Sequence, residues 1–303
     1  MTFEEFIDQE HKMRKNIHYY DSVWWRMTSF QCCHPLYELQ EIPPRQAAPS
    51  PWKSIIRYSH LVPKGYPSNQ KQTRLLLQGD RLKSFSLKDL KRKRRQLINR
   101  AIRHGLVVRE IDYLEDHWRD LQEIFISTAK RTRYGLPDQY YIERESEWRE
   151  NLQREFDLKG RDWFGIYEGK KLISYLYSCM VDDTAILLAT KCNADYLRVD
   201  PNDLLLFHVI SYYKDQPQCQ RVDAGWAISI PPSIDWRKTQ LGFERVELPV
   251  FQKMNRAALL GLRIAVFLAQ PILRHVQSDS QRNMLYKFKR IEKIIENMKI
   301  KDY

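Results

Sequence analysis

Between Arg81 and Arg109 the sequence sets eleven lysines and arginines against one acid, Asp89. Five of them, Lys91, Arg92, Lys93, Arg94 and Arg95, are consecutive. Cations that close repel one another, so the run suits bound phosphates: those of a cofactor, of RNA or of an anionic lipid surface. A solvated basic face without a ligand is the alternative. The chain has 50 basic and 38 acidic residues, net +12, so most of the excess is local. A second cluster, Cys32-Cys33-His34, has the residue types of a metal or nucleophile site. The five cysteines show no CxxC spacing, which argues against structural zinc and against a secreted disulfide framework. These read instead as two thiols in a partly buried aromatic loop, and no metal is expected.

The basic run needs a helix to carry it. Ser86 with Asp89 has the spacing of a capping box. Leu87, Leu90, Leu97, Ile98, Ala101 and Ile102 then recur at helical spacing, and Gly105 is placed to end the helix. Length and composition bound the rest. A chain of 303 residues is about two domains' worth, and 43% hydrophobic residues suffice for a sizeable core. With 10 glycines and 14 prolines it is neither collagenous nor of low complexity. The start, Met-Thr-Phe-Glu-Glu-Phe-Ile-Asp, is acidic and lacks the apolar stretch of a secretory signal, so a cytoplasmic location is expected.

Residues 1–50 read as irregular, with strands over 55–62 and 75–77. After the basic helix come a β-branched run (106–111), a helix begun by Asp112 and Glu115, and a polar helix over 139–157. Three strands follow at 163–167, 172–181 and 185–190, divided by Glu168-Gly169 and Asp182-Asp183. A helix from Pro201, a strand at 221–223, a short helix and a strand at 243–248 complete the order β-α-α-β-β-β-α-β-α-β. That pattern is α/β (α+β), a mixed and mostly antiparallel sheet flanked by helices. The sequence contains neither GxGxxG nor a P-loop.

This order resembles the GNAT superfamily, and within it the Fem-type aminoacyl- and acyltransferase branch. Four stretches carry the likeness: Leu87–Val107 with its Ile-x-x-Ala-x-x-x-Gly ending, Arg131–Pro137 (RTRYGLP), Asp200–Ile210 (DPNDLLLFHVI), and Asp223–Phe243 with Asp-x-Gly and Lys238-Thr-Gln-Leu-Gly-Phe. Where the branch commonly has Phe before that Lys, this chain has Arg237, with Trp236 one place earlier. The glycine-rich loop of acetyl-CoA enzymes would fall at 190–203, a stretch without glycine. The resemblance implies a reduced N-terminal region (1–83), a GNAT-like domain (84–250) and a C-terminal helical extension (251–303).

It also implies a reaction: transfer of an acyl or aminoacyl group from acyl-CoA or aminoacyl-tRNA to an amine. By the resemblance, Lys238 neutralises a phosphate or the forming oxyanion. Asp223, at a strand end beside Gly225, could accept the amine proton or hold the amine; an Asp bonded to its own turn is the alternative. Tyr175 and Tyr177 share one strand face, and either could donate a proton. Arg133 and Tyr134 could reach an anionic substrate, and Gly225, Trp226 and Arg237 complete the expected binding set. His208 reads as a core histidine. The basic C-terminal stretch, with the patch at 81–109, could touch anionic membranes peripherally. The competing reading is a non-catalytic GNAT-fold module that binds RNA or anionic lipid through the basic helix.

Overall fold

In the computed structural model, the residues described are 1–14, 16–28, 32–44, 57–132, 136–227, 232–254, 260–261 and 264. Arg133, Tyr134 and nearly all of the 251–303 extension lie outside them.

Helix α1 (Phe3–Met13) leads into a run of aromatic and β-branched residues that folds as strands, where irregular structure was expected. Strands β1 (Ile17–Tyr20) and β2 (Val23–Thr28) form a hairpin with Tyr20 opposite Val23. Its two turn residues, Asp21 and Ser22, both take positive φ, at 50° and 61°. Such a turn ordinarily announces itself by Asn-Gly or Gly-Gly, and this one does not. β3 (Cys32–Pro35) pairs antiparallel with β2 and parallel with β4 (Arg57–Leu61).

The chain divides into two compact units, one of Met1–Gln9 with Arg74–Val246, the other of Glu10–Thr73 with Glu247–Tyr303. The larger unit takes the end of β5 (Gln70–Gln78), then α2 (Asp80–Lys83) and a 3-10 turn at Leu87–Asp89. The basic helix α3 runs over Arg92–Arg103, five residues later than the spacing predicts. Ser86 spends its hydroxyl on the Asp89 carboxylate at 2.5 Å, closing the 3-10 turn rather than capping a helix. Gly105 ends α3 with φ +76°. β6 (Leu106–Glu110) follows, then a 3-10 turn at Glu115–His117 in place of the expected cap, and α4 (Trp118–Thr132). The polar helix is two, α5 (Asp138–Glu143) and α6 (Glu145–Phe156), because Arg144 leaves helical geometry at φ −120°, ψ 41°.

β7 (Arg161–Glu168), β8 (Lys171–Val181) and β9 (Thr184–Cys192) form the expected antiparallel meander. α7 (Pro201–Lys214) crosses to β10 (Arg221–Trp226), parallel to β9 and antiparallel to β5. α8 (Pro232–Gln240) leads to β11 (Glu244–Met254). Within this unit the strand order is β5-β10-β9-β8-β7-β6, the expected mixed and mostly antiparallel sheet. One core, with Ile98 and Ala101 of α3 and Leu205, Val209 and Ile210 of α7, covers Phe164, Ile166 and Leu176. The other, with Leu121, Ile124 and Phe125 of α4 and Trp148 of α6, covers Trp163, Tyr167 and Tyr175. In the smaller unit β4 pairs antiparallel with β11, and Trp25, Tyr58 and Phe251 pack together.

Candidate active site

Parallel strands β9 and β10 pair over only three positions, Thr184, Ala185 and Ile186 against Arg221, Val222 and Asp223. Beyond them the two strands part. β9 carries an extra residue there: Tyr177 of β8 faces Ala189 and Ser178 faces Leu187, so Leu188 has no partner in that register. β10 is irregular at the same level, between Asp223 and Trp226 in its register with β5. Gly225 supplies the φ of +86° that this bulge requires, with open space where a Cβ would stand.

The bulge is held from two sides. Asp223 is fully buried and accepts from Arg74: Nε lies 2.9 Å from each carboxylate oxygen and Nη2 2.6 Å from Oδ2. Its Oδ1 also accepts the Gly225 N–H at 2.8 Å, the turn bond named as the alternative reading. The Arg74 guanidinium lies 4.4 Å from the centroid of the Trp226 ring. From the other side Lys238 Nζ donates to the Ala224 carbonyl at 2.6 Å. Burial pushes the Lys238 pKa down, and the nearby Asp235 and Asp223 carboxylates act against that push.

Arg237 belongs to a lattice of charges that ties α3, α7 and α8 together. Its Nε donates to Asp203 at 2.6 Å and its Nη2 to Asp200 at 3.4 Å. Arg94 donates to the other oxygen of Asp203 at 2.5 Å, and Arg100 is bonded to Asp200. Arg94 is buried beneath the Trp236 ring, whose centroid is 4.9 Å from the guanidinium, while Trp236 itself remains 49% exposed. This corrects the expectation that all five cations of the run, Arg94 among them, bind anions. Lys91, Arg92 and Lys93 are exposed; Arg95 is half-buried and donates to the Lys88 carbonyl at 2.9 Å; Arg94 is an internal ion-pair partner. Helical periodicity points one residue of any five-residue run inward, and Asp203 makes that burial tolerable.

Tyr175 and Tyr177 do share a face, stacked on Trp163 at 5.6 and 4.3 Å. Tyr175 is sealed in the core, where burial pushes its pKa well above the ordinary value; Tyr177 is half-buried. His208 is exposed, its ring set edge-on to Phe164, and is not a core histidine. Arg74, Asp200, Asp203 and Lys191 were missed. The two acids stand inside the DPND stretch, where an N-terminal turn of acids reads as ordinary helix-dipole compensation.

No family model matches the sequence, and no curated protein does. Among solved structures the chain is similar to the C-terminal DUF2156 domain assigned to a lysylphosphatidylglycerol synthetase of Agrobacterium fabrum, at 12% identity and a TM-score of 0.56. The match covers 88% of this chain and 97% of that one. L-PGS from Bacillus licheniformis is matched at 9% identity and a TM-score of 0.56, over 87% of this chain and 94% of that one. FemX is matched over 66% of each chain, at 11% identity and a TM-score of 0.47. At such identities the likeness is one of fold alone: a mixed, mostly antiparallel sheet flanked by helices, as the order of elements in the sequence leads one to expect.

Proposed function

We propose that this protein transfers an acyl or aminoacyl group from an activated donor to an amine, by direct attack in a ternary complex. The observation that carries the reading is the early end of the β9–β10 pairing, with an irregularity on each strand just beyond it. Strands that separate leave backbone N–H and C=O groups open to an extended ligand. Holding donor and amine there in attack geometry is worth about 7–11 kcal/mol in ideal cases. Leu188, without a partner in the β8 register, is the β9 position whose N–H this reading assigns to the developing oxyanion, and a fixed donor of that kind contributes about 3–4 kcal/mol. Lys238 fixes the opposite bulge and brings positive charge to it. Asp223, with both oxygens engaged by Arg74, serves as the anchor of the bulge rather than as a proton acceptor. Of the two tyrosines, Tyr177 is the one with a surface from which to protonate a leaving group.

The two candidate donors, a CoA thioester and an aminoacyl-tRNA, ask different things of α7. A CoA diphosphate needs free N–H groups at a helix N-terminus. There α7 carries Asp200 and Asp203, already engaged with Arg94, Arg100 and Arg237, and these residues do not fit a diphosphate. An aminoacyl ester of RNA, its phosphates against exposed Lys91, Arg92 and Lys93, fits better. The solved chains named lysylphosphatidylglycerol synthetase and L-PGS accord with aminoacyl transfer. The test is transfer of label from charged tRNA or from acetyl-CoA to a panel of primary amines. Lys238→Ala is expected to lower the rate about 100-fold with the fold intact by circular dichroism. Equal rates for variant and wild type, or stabilisation by any polyanion with no transfer, would overturn the reading.

A further inference from the structure

Lys191 lies on β9 opposite Tyr175, past the point where β10 departs. Its Nζ sits 4.8 Å from the centroid of Phe125, whose ring in turn stacks on Tyr175 at 5.9 Å. The side chain is half-buried, and among the described residues no carboxylate lies within ion-pair distance of it. Burial alone lowers its pKa; no neighbouring charge contributes. A second cation borders the same strand end. Arg131, exposed on the last turn of α4, stands one helical turn beyond Ser127, which accepts from the Ala194 N–H at 2.8 Å, and Thr128, which donates to the Cys192 carbonyl at 3.5 Å. Like Lys191 it forms no ion pair among the described residues. Elsewhere in this unit partly buried cations have a partner: Arg74 pairs with Asp223, Arg94 and Arg237 with Asp203, and Lys171 with Glu123, while Lys238 and Arg95 donate to the Ala224 and Lys88 carbonyls. A cation withdrawn from water without a counter-charge costs stability, and aromatic faces recover only part of it.

We propose that Lys191, with Arg131, forms a subsite for the oxyanion of an acidic amine, a phosphate or carboxylate carried by the acceptor. The inference rests on the transfer reading above and adds the chemical class of the acceptor. The oxyanion belongs either to a free small molecule or to a lipid headgroup, which the two phosphate probes below separate.

The test is calorimetric titration of the full chain with ethanolamine, glycylglycine, O-phosphoethanolamine and dihexanoyl-phosphatidylethanolamine. Wild type is expected to bind the anionic amines about 10-fold more tightly than ethanolamine, the scale of one charge-assisted contact. Lys191→Met keeps the apolar stem against Phe125 and should reduce the preference to within about two-fold, with Lys191→Arg restoring it. The melting temperature of each variant checks the fold. Tighter binding of the lipid than of O-phosphoethanolamine assigns the oxyanion to a headgroup, and the reverse to a free molecule. A preference abolished by Lys191→Met in a protein that transfers nothing upholds the subsite and removes only the transfer reading. No preference in wild type, or one that survives in Lys191→Met, overturns the proposal.

Discussion

Replacing Asp223 by Asn keeps the shape of the side chain and an oxygen for the Gly225 N–H, and removes only the charge that faces Arg74. Both side chains are almost wholly buried, 4% and 0% exposed, and three N–H···O contacts of 2.6–2.9 Å join them. Breaking such a pair strands a guanidinium in the interior, at a cost of about 3–5 kcal/mol. Against a total stability of about 5–15 kcal/mol that is a large share, and for a unit of this size it corresponds to a fall of roughly 6–20 °C in melting temperature. Arg74→Met should cost a similar amount by leaving the carboxylate alone. The double variant, with no buried charge left, should lose less than the sum, giving a coupling of about 2 kcal/mol or more. Urea unfolding at neutral pH, fitted with a common slope, measures all three. Losses below about 1 kcal/mol with no coupling would refute the assignment of this pair as the anchor of the β10 bulge.

Two further outcomes follow from named side chains. Arg92 and Lys93 occupy the first turn of α3, where the helix dipole disfavours cations, so Arg92→Glu with Lys93→Glu should raise stability by about 0.3–1 kcal/mol per site and weaken RNA retention in low salt. A thermal melt and a filter-binding titration check the two halves. Burial holds the Cys33 and Cys192 thiols up at about 11, from 9.0. Because the unfolded thiols ionise first, their contribution is complete below pH 9 and is lost as pH climbs to 11. The urea midpoint should therefore fall across that window, and less so in Cys192→Val.

The central meander and α7 were legible because period-2 runs broken by Glu168-Gly169 and Asp182-Asp183, and Pro201 at a helix start, are local signals. The N-terminal hairpin was not, since Asp21 and Ser22 adopt a backbone usually left to glycine. The start of α3 was misread because Ser86 and Asp89 satisfy each other instead of the helix. In the candidate site, Lys238 and Asp223 were found through family likeness, yet their partners were out of reach. Arg74 lies 149 residues before Asp223, and Arg94 lies 109 before Asp203. No window along the chain contains both ends of such a pair.

Helix α8 is tethered near its end to the Ala224 carbonyl through Lys238 and to Asp203 through Arg237, and its indole rests in the open on a guanidinium. A ligand that shifts the bulge is therefore expected to move Trp236 relative to that cation and change its emission. Read as the difference between wild type and Trp236→Phe, that change would report occupancy of the site.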